Sequence, residues 1–251
     1  MVLPRPLTLS AFGLERIVRR HNIGTLHVTL APEAVWIPDQ SRQAVEQRVT
    51  EQFIQLGLLD AQGRLDPELA DSLAVLCHPV EERYGWISRD GNTRAVLAGA
   101  IGREALLAIR DGDEVWVNQI DPERLEQVLV AQLPEVTKAS GNVINVVHAD
   151  LVAARGGRAG DVKEQRPSYE IRRLQQIVEL PATGGAELYA GYRDSNGRNR
   201  HTEQPLRVAD TSEGRWENVT TQRQGGDTMI TVAPANASDI ANRLRQLRQT
   251  L

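Results

Sequence analysis

Cys77 and His78 stand side by side, a thiol next to an imidazole, and such a pair is where nucleophilic chemistry would be sought first. They close a helix-like stretch just before Pro79. Adjacent side chains on a helix point about 100° apart. The spacing therefore fits a small buried thiol beside a helix-end imidazole better than a catalytic dyad. His21, His27, His148 and His201 stand in no metal-ligand spacing. The run Gly156–Gly160 resembles a phosphate cradle, but it lacks a preceding core strand and a directly following Lys, so it reads as a flexible link. Asp90, Asp111, Asp113, Asp194 and Asp227 invite a metal, yet each falls in a turn that favours Asp anyway. No G-x-S-x-G, H-E-x-x-H, G-x-x-x-x-G-K-[ST] or G-x-G-x-x-G occurs. Polar residues are spent on turns and surfaces, which favours a binding protein over an enzyme.

The composition agrees with a globular chain. Of 251 residues, 41% are hydrophobic and 25% charged, so a core is available and disorder is excluded for most of the length. One cysteine excludes a disulfide scaffold. The longest apolar run, Ala105–Ile109, is far short of the roughly 18 residues a membrane helix needs. Met1–Ser10 carries Pro4 and Pro6 and lacks the apolar centre of a signal peptide, so a cytoplasmic setting is expected. The net charge of −4 gives no basic footprint for nucleic acid. Arg243, Arg245 and Arg248 on the last helix read as a solvated face.

The elements follow from periodicity. Ser10 caps a helix with Leu14, Ile17 and Val18 inward, ended by Gly24. Leu26, Val28 and Leu30 alternate and predict a strand. Val45, Val49, Phe53 and Leu56 predict a helix stopped by Gly57. Asp66-Pro67 starts another, with Leu69, Leu73 and Leu76 inward. From Tyr84 the period becomes two. Strands at Tyr84–Ser88, Arg94–Ala100, Glu104–Arg110 and Glu114–Gln119 are joined by turns at Asp90-Gly91-Asn92, Gly102-Arg103 and Asp111-Gly112-Asp113. Such short links dictate an antiparallel meander. Asp121-Pro122 then opens a helix with Leu125, Val128, Leu129 and Leu133 inward.

The pattern then recurs. A strand at Val143–Val147 and a short helix at Asp150–Ala154 precede a helix capped by Ser168 with Ile171, Leu174 and Val178. Strands at Ala186–Arg193, His201–Ala209, Arg215–Gln222 and Thr228–Val232 follow. Their turns lie at Asp194-Ser195-Asn196-Gly197, Glu213-Gly214 and Gly225-Gly226-Asp227. A last helix from about Asn236 carries Ile240, Leu244 and Leu247. Gly91, Gly102 and Gly112 match Gly197, Gly214 and Gly226 in order, and Pro122 matches Pro234. We read a duplication: one domain over residues 1–251 made of half-units at about 1–135 and 136–251, with quasi-twofold symmetry. Each meander would leave a face or edge bare, and a single joined sheet with helices over it satisfies both. The fold class is α+β, with a central antiparallel sheet.

Trp36, Trp86, Trp116 and Trp216 lie in or beside strands and are expected mostly in the core or on a sheet face. Tyr189 and Tyr192 fall on opposite faces of one strand, so one ring is free to meet a partner unless both faces are covered. The polar loop Asp194–Arg200 reads as a solvated hairpin tip.

The stretch Gly185-Ala186-Glu187-Leu188-Tyr189-Ala190 to Arg193-Asp194, then Gly197-Arg198, Pro205-Leu206, Asp210-Thr211 to Gly214-Arg215 and Thr231-Val232-Ala233-Pro234-Ala235 resembles the EspG family of actinobacterial type VII (ESX) secretion-associated proteins. The order of elements in the N-terminal half agrees, from the Leu56-Gly57-Leu58 segment and the helix after Asp66-Pro67 to the meander. The resemblance implies a quasi-twofold sheet with flanking helical bundles. It implies a cytosolic chaperone without cofactor, metal or enzymatic activity. Such a chaperone binds the apolar tip of the PPE protein in PE–PPE heterodimers, keeps them soluble and directs them to export. It also implies partner contacts at Arg89, Asp90 and Asn92 in the first hairpin, at Tyr189 and Tyr192, at Ile171, Leu174 and Val178, and on the last helix. Neither nucleic acid nor membrane insertion is expected, and the free chain is expected to be a monomer or weak homodimer. The alternatives are a small cytoplasmic hydrolase or transferase with a site near Cys77 and His78, and an adaptor that binds something other than a PPE protein.

Overall fold

The computed structural model describes residues 6–156, 168–222 and 226–251. A short strand β1 (Leu7–Ser10) runs into α1 (Ala11–Arg20), where the Ser10 hydroxyl accepts from the Gly13 N–H and Leu14, Ile17 and Val18 are buried. The long helix α2 (Asp39–Gln55) buries only Val49 and Phe53 and stops before Gly57, whose φ of +72° suits glycine. Asp66 caps α3 (Pro67–Cys77) by accepting from the Glu68 and Leu69 N–H groups. The expected strand at Leu26–Leu30 is absent. Leu26 and Leu30 are buried and Val28 is exposed, as the alternation demands. However, the His27 N–H donates to the Leu76 carbonyl, and the Leu30 and Ala31 N–H groups fold back onto the His27 carbonyl. The backbone is satisfied in a turn against α3, so it needs no ladder.

The first meander is β2 (Glu81–Arg89), β3 (Asn92–Ile101), β4 (Glu104–Asp111) and β5 (Glu114–Gln119). Asp90 and Gly91 both have positive φ, the tight hairpin turn that Asp-Gly predicts. A 3-10 turn at Pro122–Arg124 then leads into α4 (Leu125–Val130). The second part has β6 (Ile144–Val147), α5 (His148–Gly156), α6 (Tyr169–Val178), β7 (Ala182–Arg193), β8 (Asn199–His201), β9 (Leu206–Thr211), β10 (Gly214–Gln222), β11 (Thr228–Pro234) and α7 (Ala237–Gln249). The expected strand His201–Ala209 is split into β8 and β9. Thr202 turns back onto Ala190, and Pro205, which has no N–H to give a ladder, stands in the break. Of the expected link at Gly156–Gly160, Gly156 ends α5 and the rest lies outside the described residues, as does Gly225 of the last turn.

All strands form one antiparallel sheet in the order β1-β5-β4-β3-β2-β7-β9-β10-β11-β6, with β8 beside the end of β7. The fold is α+β, as expected. β2 and β7 join the two meanders along the whole of β2, from Glu81 opposite Tyr192 to Arg89 opposite Gly184. The outermost strands, β1 and β6, have four residues each. One face carries α1, α2 and α3 on the first meander, over Leu97, Leu106 and Val117. Farther along that face α6 packs on Ile144, Val146, Trp216 and Val232. The other face buries Ile87, Val96, Leu188, Leu206 and Val219 under α4 and α7, which also pack on each other.

Two features hold the β2–β7 seam. The first is close backbone approach: a Cβ on Gly85 would lie 2.1 Å from the Glu187 carbonyl oxygen. The second is a charge network, buried at Arg83 and Glu126 and half-buried at Glu81 and Arg248. The Arg83 guanidinium donates to Glu126 of α4 at 2.9 Å and to the backbone carbonyls of Glu82 and Gly191. Glu81 accepts two bonds from Arg248 of α7, at 2.8 and 2.5 Å. Burial alone would raise the Glu81 carboxyl, but Arg248 and Arg83 outweigh it and hold the group below the usual carboxylate range. On the opposite face His27 is buried beside Glu82 and edge-on to Tyr84. Its Nδ1 accepts from the Thr29 N–H, and burial pushes its pKa down to about 4.

Gly85→Ala should lower folding stability by about 1–3 kcal/mol, the usual cost of overpacking, and denaturant unfolding will read it. His27 is kept neutral when folded but charges near pH 6.5 when unfolded. Its contribution is therefore complete above that value and is lost as pH falls towards about 4, by up to about 1.4 kcal/mol per pH unit. In His27→Gln this part of the pH dependence should vanish, with the stability gap between variant and parent largest near neutrality.

Candidate functional site

Between the helices over the first meander and α6, a strip of sheet face is left bare. Cross-strand register gives its floor. One row runs Trp86, Glu187, Arg207, Asn218 across β2, β7, β9 and β10, and the next runs Ser88, Gly185, Ala209, Trp216. The second row is small in its middle, so the floor is depressed there. A groove of about 960 Å³ results, walled by Leu174, Ile177 and Val178 of α6 on one side and by Trp86 with the Arg89–Gly91 hairpin on the other. Val178 is 64% exposed. Glu187 and Arg207 form an ion pair on the floor, with Arg207 Nε donating to Glu187 Oε1 at 3.0 Å.

The groove gathers some of the expected contact residues and not others. Arg89 and Asp90 line it, exposed and paired at 3.4 Å. Asn92 is tied to its own meander, its amide donating to Asp111 at 3.1 Å. Tyr189 stacks on Tyr84 with ring centroids 5.2 Å apart and meets Trp86 edge-on, so a half-buried aromatic patch borders the groove. Burial and the neighbouring Glu187 push the Tyr189 hydroxyl pKa up. Tyr192 lies on the other face, as expected for its spacing. There Arg248 covers its ring, 3.8 Å from guanidinium carbon to centroid, and its hydroxyl donates to the Leu251 carbonyl. Ile171 and Leu174 are buried in the core under α6, so Val178 is the surface-facing residue of that set. Reasoning from the sequence missed Trp86 as a wall and Glu187, Arg207 and Ala209 as floor. Only the pairing of β2 with β7 and of β7 with β9, distant in sequence, brings them together.

Cys77 and His78 do not form a site of comparable shape. Cys77 packs against the core under α3, and burial pushes its thiol up to about 12, so it is protonated near neutrality. His78 closes α3, its N–H donating to the Ala74 carbonyl. Among the described residues no three His, Cys, Asp or Glu side chains converge as metal ligands, and no helix is long and apolar enough to cross a membrane. Trp86 and Trp216 meet the expectation for sheet-face aromatics. Trp36 departs from it: it stands 84% exposed on the link between α1 and α2, because no strand forms there to turn it inward.

The EspG family profile matches residues 10–246. No curated protein matches the chain. Among solved structures, the Mycobacterium tuberculosis type VII secretion system chaperone EspG5, in complex with a PE25-PPE41 dimer, is similar. Its TM-score is 0.72 at 16% sequence identity, over 98% of this chain and 97% of that one. At that identity the likeness is one of fold, and it extends over both meanders and their helices. With the family profile spanning all but the two ends, the chain belongs to the EspG family.

Proposed function

We propose that this protein is a chaperone of type VII secretion that binds a PE–PPE heterodimer through the apolar tip of the PPE protein. The observation that carries the reading is the bare strip of sheet. Helices cover the sheet on either side of this strip, and the groove between them, with Leu174, Ile177, Val178 and Trp86 in its walls, stays open to water. Family membership supports it, as does the likeness to EspG5, whose structure was determined with a PE–PPE dimer bound. Covering apolar surface yields about 25 cal/mol per Å² before association costs. No nucleotide is needed for a complex held by affinity alone. Arg89, Asp90, Tyr189 and Val178 are the contact residues of this reading. Asn92 supports the hairpin, and Ile171 and Leu174 support the groove wall. Tyr192 supports α7 on the far face.

The cytoplasm is the proposed location, and the free chain is a monomer or weak homodimer. We also infer a single domain over 1–251 built from two half-units, 1–135 and 136–251. The support is the strand order. Counted outward from the seam it reads β2, β3, β4, β5, β1 on one side and β7, β9, β10, β11, β6 on the other. Each meander is followed by a helix, α4 or α7, on the same face. The reading as a hydrolase or transferase near Cys77 gains no support from a half-buried thiol that stays protonated near neutrality.

Co-expression with PE–PPE heterodimers of the same genome, followed by size-exclusion chromatography, tests the function. One chain should co-elute with one heterodimer, and Val178→Asp should weaken that complex about tenfold or more by placing a charge in the apolar wall. A chain that retains none of these heterodimers overturns the reading. Cys77 should resist iodoacetamide in the folded protein at neutral pH and react on unfolding, as read by mass spectrometry, and Cys77→Ser should leave heterodimer binding unchanged.

A further inference from the structure

Among the described residues the one ion pair on the groove floor is Glu187–Arg207, about half-exposed on each side, and its hydrogen bonding is lopsided. Arg207 spends Nε on Glu187 Oε1 at 3.0 Å. Among the described residues nothing else bonds its two Nη groups. Guanidinium donors are fixed in a fork. With Nε pinned by Glu187, the Nη groups are held in one plane on the floor of a groove walled by Leu174, Ile177 and Val178 on one side and by Trp86 with the paired Arg89 and Asp90 on the other. Any partner that fills the groove takes those donors out of water. If it offers no acceptor, they are left buried and unpaired, which is costly.

The chemistry of the acceptor follows from the charge. Glu187 already neutralises Arg207, so the pair carries no net charge. A partner carboxylate would meet Glu187 as well as Arg207 and be repelled by one while attracted by the other. A neutral acceptor with a strong dipole meets no such conflict. The C-terminal end of a helix is one: its last carbonyls have no partners within the helix and carry the negative end of the helix dipole. A helix that turns back at a tip presents those carbonyls beside the apolar side chains of its last turn.

We propose that Arg207, oriented by Glu187, caps the C-terminal carbonyls of a partner helix whose last turn fills this groove. This deepens the function proposed above and rests on it. Arg207 is the binding group and Glu187 the positioning one. The apolar side chains of the walls then supply affinity, while the pair selects for a helix that ends at the groove and against one that runs through it, whose carbonyls are already used.

The test uses the full chain and the PE–PPE heterodimer of its own genome that co-elutes with it, with affinity measured by titration calorimetry. Arg207→Ala should weaken binding by about 10- to 100-fold, the range for a lost charged hydrogen bond, with the thermal midpoint of the free chain unchanged. Arg207→Lys should not restore it, because an ammonium cannot hold Glu187 and two carbonyls in one plane. Glu187→Gln, which can still accept from Nε, should bind more tightly than Glu187→Ala. Replacing every Asp and Glu at the partner's tip by Ala should leave both the affinity and the Arg207→Ala effect within about twofold. If the parent chain retains no heterodimer, the function itself falls and this assignment with it. If a heterodimer binds but Arg207→Ala binds equally well, only the anchor is overturned. If removal of the tip's acids abolishes the Arg207 effect, the acceptor is a carboxylate and the helix-end assignment is wrong.

Discussion

Pairing of β2 with β7 is the contact on which the architecture depends. Each meander alone would end in a long unpaired strand with apolar side chains on both faces, an edge prone to pairing with other chains. Joined, the two edges satisfy each other from Glu81 to Arg89. The approach is close enough that Gly85 faces the Glu187 carbonyl with no room for a side chain. The far side of the seam is closed by α4 and α7, locked through Arg83, Glu126, Glu81 and Arg248. Removing one partner of the buried Arg83–Glu126 pair leaves a charge stranded, which makes that pair a clamp of specific geometry more than a source of net stability.

The groove is a consequence of the same seam. On the near face the helices belong to each half separately: α1 to α3 over one meander and α6 over the outer strands of the other. Neither cover reaches the middle, so the middle strands are bare there, while on the opposite face α4 and α7 pack over them. The groove is therefore made by the fold's join and not by an added loop. Its floor is rigid sheet, while the hairpin at Asp90-Gly91 and the end of α6 supply its rims. A preorganised floor loses little entropy on binding.

Elements whose cause is local are legible in the sequence. Ser10, Asp66, Ser168 and Asn236 cap the helices they precede, and Asp-Gly turns close the hairpins. The joined antiparallel sheet followed from edge satisfaction. Other features depend on neighbours far along the chain. Leu26–Leu30 alternates like a strand, but α3 offers it hydrogen bonds that make a turn. Ile171 and Leu174 have the spacing of a helix face, yet which face meets water depends on where α6 lands. Tyr192 is covered because α7 ends above it. The row Trp86–Glu187–Arg207–Asn218 draws on four strands, so no window of sequence contains it.

The two outermost strands, β1 and β6, have only four residues each. A long sheet normally invites growth, since each free margin is a template for another chain. Here both margins are too brief to template much, and Pro6 immediately precedes β1 with no N–H of its own. The widest element of the molecule therefore tapers at its ends, where it offers another chain little backbone to pair with.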